Sequence, residues 1–138
     1  IILMHLDGLK RIDTTYGCKQ GDRTLLVVTE VLNNVFHCEL DIVARIARDE
    51  FCIFLSGITA TQASALGEIL REQIKQKQGP LALEYVVTVK IGIAMIPIKQ
   101  DTTPNEIDGM CRTAKEAVAR ARYHSREVGK GVDVVTLM

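Results

Sequence analysis

Two runs rich in β-branched and aromatic residues, DIVARI at 41–46 and FCIFLS at 51–56, are separated by only residues 47–50. So short a link predicts an antiparallel hairpin. The link reads Ala47, Arg48, Asp49, Glu50 and lacks the Gly or Asn that the favoured two-residue turns use to reach positive φ. A charged tip of this kind is either a solvated corner or a place where the charges act on something.

The remaining elements follow from periodicity. IILMHL (1–6) reads as a buried strand, and DGLKRIDTTYG (7–17) as a turn and short helix. GDRTLLVVTEVLNNVF (21–36) places Leu25, Leu26, Val28, Thr29, Leu32, Val35 and Phe36 near a 3.6-residue period. Asp22 is expected near the start of that helix, where a carboxylate is favourable. TATQASALGEILREQIKQK (59–77) predicts a helix capped by Thr59 or Thr61 and closed by Gly79 and Pro80. LEYVVTVKIGIAMIP (83–97) predicts a strand in which Gly92 marks a bulge or a close backbone approach. A long helix is expected over 103–129, opening near Thr103 and Pro104, and GVDVVTLM (131–138) predicts a last strand. The order β-α-α-β-β-α-β-α-β predicts an α+β fold: a central, mostly antiparallel five-stranded sheet flanked by helices, related to the ferredoxin-like pattern.

Bulk properties narrow the function. At 138 residues and 47% hydrophobic, the chain is expected to be a single domain, 1–138, able to bury a core without staples. Seventeen basic and seventeen acidic residues cancel, so no overall field draws it to nucleic acid or an anionic membrane. Three Phe, three Tyr and no Trp offer no aromatic platform for stacking bases. Cys18, Cys38, Cys52 and Cys111 include no C-x-x-C pair, which suits reduced thiols in a cytoplasmic protein better than zinc or disulfides. No apolar stretch reaches the length of a membrane span.

Two segments carry a resemblance. LDGLKRIDTTYGCKQGD (6–22) resembles the pattern D-x-D-x-F-K-x-x-N-D-x-x-G-H-x-x-G-D, and RIARDEF (45–51) resembles R-x-G-G-D-E-F. VTVKIGIA (87–94) is similar to the strand that ends in S-I-G-V-A. Together they resemble the GGDEF family, the diguanylate cyclase fold. The L-T-G-L-x-N-R helix that normally precedes the first strand is missing, so the chain is read as excised from a longer protein.

The resemblance implies a chemistry. In the family, two GTP molecules face each other across a dimer, and each 3′-hydroxyl attacks the other's α-phosphate. Such transfer rests on positioning and on charge neutralisation by metal ions, and magnesium takes hard oxygen ligands. The first metal aspartate of the family falls on His5, whose imidazole suits softer ions. Its second metal carboxylate is kept as Asp49, followed by Glu50. The two glycines become Ala47 and Arg48, side chains expected to crowd the phosphates; Arg48 alternatively pairs with the adjacent carboxylates or replaces a metal's charge. The guanine-reading asparagine becomes Asp13, and its partner aspartate is kept as Asp22. Arg122 and Arg126 stand where a family lysine and arginine bind phosphates. The inhibitory R-x-x-D site for cyclic di-GMP becomes Cys38 and Asp41. Cys18 replaces a frequent histidine and reads as inert filler.

These departures predict a catalytically inactive GGDEF domain with a regulatory role in cyclic di-GMP signalling, acting by protein contacts. Its expected partners are a neighbouring EAL or sensor domain or a separate signalling protein, with a homodimer also open. No cofactor is required on this reading. The alternative is an allosteric receptor that binds GTP with magnesium and does not turn it over, and an active cyclase ranks behind both. The domain is expected in the bacterial cytoplasm, with other domains free to anchor the full-length protein to a membrane.

Overall fold

The computed structural model describes residues 1–95, 101–127 and 132–136, with the positions beyond residue 120 as backbone only. Five strands, β1 (Ile2–Asp7), β2 (Ile42–Ala47), β3 (Glu50–Phe54), β4 (Thr88–Met95) and β5 (Val132–Thr136), form one sheet in the order β2-β3-β1-β4-β5. All pairs are antiparallel except β4 with β5. Four helices accompany them: α1 (Leu9–Tyr16), α2 (Cys18–Val35), α3 (Ala60–Gln78) and α4 (Pro104–Glu127). The α+β order and the mostly antiparallel five-stranded sheet are those expected from the sequence.

Apart from His5 and Asp7, the central strand β1 is apolar, because both its faces are covered. Ile2, Met4 and Leu6 join Leu9 and Ile12 of α1, Leu25, Val28 and Leu32 of α2, and Leu70 and Ile74 of α3 in the main core. Leu3 instead packs with Ala94, Ala114 and Val118 beneath α4. There Gly92 matters. Its register opposite Leu3 is unbroken, so it is no bulge; a Cβ would collide with the Ala114 carbonyl oxygen and lie 2.5 Å from the Val118 nitrogen. The glycine lets α4 lie directly on the sheet.

Side chains cap the starts of α3 and α4, whereas α1 and α2 follow Gly8 and Gly17 with no side-chain cap. Thr59 forms a reciprocal capping box, its hydroxyl accepting from Gln62 N and its own N–H donating to Gln62 Oε1 at 2.8 Å. Thr103 and Glu106 repeat the arrangement at α4. Two boundaries differ from expectation. Helix α2 begins at Cys18, after Gly17 has broken the chain at φ 87°, so Asp22 lies beyond the first turn rather than near the helix end. Strand β4 begins at Thr88, not near residue 83. A short 3-10 turn (Gly79–Leu81) and Ala82, at φ 51°, come first. The Val87 N–H and C=O then pair with the buried Gln78 side chain at 2.8 and 3.0 Å. A glutamine does there what a neighbouring strand would otherwise do.

Candidate functional site

The β2–β3 hairpin turns at Arg48 and Asp49, and neither residue takes a positive φ. Two features replace the missing glycine. The register slips between Arg45 and Ala47, leaving Ile46 as an extra residue that bends and twists the strand. The Arg45 guanidinium then folds over the tip, donating to the carbonyl oxygens of Ala47 at 3.2 Å and Arg48 at 2.6 Å, and lies 5.9 Å from the Phe51 ring. Leu6 N donates to Asp49 O at 2.8 Å, which ties the tip to β1. From this fixed corner the two turn side chains reach different groups.

Asp49 reaches towards His5. In β1, His5 stands opposite Glu50 on one side and Lys90 on the other. Its Nε2 lies 3.1 Å from Asp7 Oδ1 and 3.8 Å from Asp49 Oδ2, while Nδ1 is 3.8 Å from Glu50 Oε1 and has no hydrogen-bond partner. The Lys90 ammonium lies 3.9 Å from Asp7 Oδ2; burial pushes its pKa down, against the opposing pull of Asp7. His5 is a buried strand residue that engages carboxylates, and one of its nitrogens is spent on Asp7. This mixed set of imidazole, ammonium and carboxylates does not fit magnesium, which demands oxygen ligands in near-octahedral array. Among the described residues, no three His, Cys, Asp or Glu side chains are placed to hold a metal ion.

Arg48 turns the other way. Its Nε and one terminal nitrogen donate to Asp13 Oδ2 at 3.2 and 2.8 Å, and the same terminal nitrogen lies 3.8 Å from Asp22 Oδ1. The expectation that Arg48 pairs with its neighbours Asp49 and Glu50 is thereby corrected: its partner is 35 residues away in sequence, on α1. The Asp13 hydrogen bond, followed by its charge, holds the guanidinium pKa above the ordinary arginine value. Asp13 is seated against Gly21, where a Cβ would overlap its carboxylate. Its Oδ1 is buried and has no hydrogen-bond partner.

The other sequence candidates lie apart from this corner. Asp41 Oδ2 accepts from Cys38 N at 3.2 Å, so this carboxylate stabilises its own exposed turn. Cys18 is an exposed residue at the first position of α2. Arg122 and Arg126 belong to α4, and their side chains lie outside the described residues. Three participants were not singled out by sequence: Asp7, Lys90 and Arg45. Asp7 follows His5 at the strand period of two, a signal available from the sequence. The cross-strand placement of Lys90 depends on register and was not.

Residues 1–127 match the family described as "Diguanylate cyclase, GGDEF domain". The chain belongs to the GGDEF family. It is 29% identical over 138 residues to the probable diguanylate cyclase DgcT of Escherichia coli, covering 98% of this chain and 28% of that protein. It is 32% identical over 100 residues to the cyclic di-GMP phosphodiesterase NbdA of Pseudomonas aeruginosa, covering 70% of this chain and 12% of that one. Among solved structures, the GGDEF domain of DgcB from Caulobacter crescentus in complex with c-di-GMP superposes with a TM-score of 0.74 at 20% identity, over 96% of this chain and 75% of that one. The chain thus spans under a third of the length of these two relatives, and the sheet and helices are those of the GGDEF fold. It is a domain of cyclic di-GMP signalling. Among the described residues no helix is long and apolar enough to cross a membrane.

Proposed function

We propose that this GGDEF domain is catalytically inactive and regulatory, passing a signal by protein contacts to a neighbouring or partner domain. The observation that carries the reading is the position of His5. Its imidazole stands among Asp7, Asp49 and Glu50, with Nε2 3.1 Å from Asp7 and 3.8 Å from Asp49. A basic side chain among the carboxylates competes with the metal that phosphoryl transfer between two GTP molecules uses to neutralise charge. The resemblance to NbdA, described as a cyclic di-GMP phosphodiesterase of which this chain matches a small part, supports a phosphodiesterase domain, the role expected of an EAL neighbour, as the regulated partner. In that setting a homodimer is an available way to convey the signal.

A second reading keeps guanine-nucleotide binding without turnover, with GTP and magnesium as an allosteric ligand. Asp13 and Asp22, both near the hairpin tip, favour it. The experiment is incubation of the artificially dimerised domain with GTP and magnesium, with chromatographic detection of cyclic di-GMP. No product is the expected result. Product formation above that of a boiled control, lost on Asp49→Ala, would restore the cyclase reading.

A further inference from the structure

We infer that the Asp13 carboxylate of α1, packed against Gly21 of α2 and flanked by Asp22, is a receptor for a planar N–H fork that Arg48 of the same chain occupies, and that Arg48 thereby sets what else can bind. The contact is specific in form. Two nitrogens attached to one carbon, Nε and a terminal nitrogen, both donate to Asp13 Oδ2, at 3.2 and 2.8 Å, and the second also approaches Asp22 Oδ1 at 3.8 Å. The same N–C–N fragment, with two donors in one plane, forms the N1–H and 2-amino edge of guanine. Either group can satisfy the carboxylate, and both cannot do so together.

Three further observations define the site. Gly21 leaves no space for a Cβ beside the Asp13 carboxylate, so α2 is shaped around that group. Asp13 Oδ1 is buried and has no hydrogen-bond partner, so the contact with an incoming fork falls on Oδ2, the oxygen that Arg48 holds. The Arg48 side chain is 51% exposed and projects from a hairpin tip, whereas the Asp13 side chain is 17% exposed. Asp13 is therefore the more buried partner, and Arg48 sits at the solvent edge. A ligand whose binding-competent site is closed most of the time binds more weakly by the open fraction, so Arg48 acts as an internal competitor of the guanine edge. This inference concerns base binding and is independent of whether the domain turns GTP over.

The test is calorimetric titration of the parent chain, Arg48→Gly and Arg48→Ala with GTP and magnesium, repeated with inosine triphosphate, which keeps N1–H but lacks the 2-amino group. Two substitutions guard against an altered turn in either one. The expected result is that both variants bind GTP at least about tenfold more tightly than the parent, that they bind inosine triphosphate more weakly than GTP, and that Asp13→Ala in the Arg48→Gly background removes the gain. Equal affinity in parent and variants, including no measurable binding in any of them, overturns the inference. So does an equal gain for both nucleotides, which would assign the effect of Arg48 to the phosphates.

Discussion

Cys52 shows how position within a single sheet sets the chemistry of a side chain. It lies in β3, half-buried, and packs against the small cluster of Leu3, Ala94, Ala114 and Val118. Burial raises its thiol pKa above the ordinary value, with Cys111 adding to the rise and the Ile1 amine opposing it. A folded-state pKa raised above the unfolded one contributes stability below the unfolded value, and that contribution is lost as pH rises through the folded value. Cys52 thus adds a penalty to the fold only on the alkaline side of the ordinary thiol range. Cys18 and Cys38 are exposed. Because the thiolate is the nucleophile, iodoacetamide at pH 8 should alkylate Cys18 and Cys38 well before Cys52 in the native domain, as followed by peptide mass spectrometry. Equal native rates for the three would show that burial does not protect Cys52. Arg48 marks the limit of sequence reading at this scale. Its charge and its place at the tip were legible, but its partner was not, because the bulge at Ile46 and the Arg45 brace determine where the side chain leaves the turn.

Elements were legible wherever one period held over several turns or along a strand. The apolar spacing of α2, the apolar run that opens β1 and the pair of runs forming β2 and β3 each have a single reading, while the start of α3, open between Thr59 and Thr61 in the sequence, is decided by the Thr59–Gln62 capping box. The failures lie where a non-periodic interaction takes over. TYGCKQGD contains few apolar residues, so the first turn of α2 was not visible, and the path from Ala82 to Thr88 depends on the buried Gln78 side chain. Gly92 was legible as a close approach but not as to what approaches. Since a Cβ there would meet the backbone of α4 at Ala114 and Val118, relief requires the whole helix to move. Gly92→Ala should therefore destabilise the domain by about 1–3 kcal/mol or more, as overpacked sites do, seen as a lower midpoint in urea denaturation. Gly109, with nothing near its would-be Cβ, is the control: the same change there should be neutral or stabilising, since alanine is the better helix former. A Gly92→Ala domain as stable as its parent would mean that α4 does not rest on β4 as described.

At the scale of the whole molecule, the described residues of the two layers flanking the sheet pack unequally. Among the described residues, the side formed with α1, α2 and α3 holds a cluster of 19 buried residues, many of them Ile, Leu and Val, whereas the cluster beneath α4 holds four, two of them alanine. Burial stabilises roughly in proportion to apolar area, at about 25 cal/mol per Å², so among the described residues the stretch of α4 up to Arg120 contributes less apolar packing than α2. Proteins open in cooperative units whose cost follows such local differences. Native-state hydrogen exchange should find the amides of Met110 to Val118 in α4 opening at a lower free energy than those of Leu25 to Leu32 in α2, with added urea lowering the α2 value first towards global unfolding. If both helices exchange only by one global event, the layers are energetically a single unit, and a partner that bound the α4 side could not loosen it alone. If α4 opens first, a contact on that side can alter the sheet's support without unfolding the hairpin corner, because Arg48, Asp13 and His5 are anchored through β1, α1 and β3 on the larger core. The proposed signalling by contact would use that separation: one layer loose enough to respond and one rigid enough to keep the corner in place.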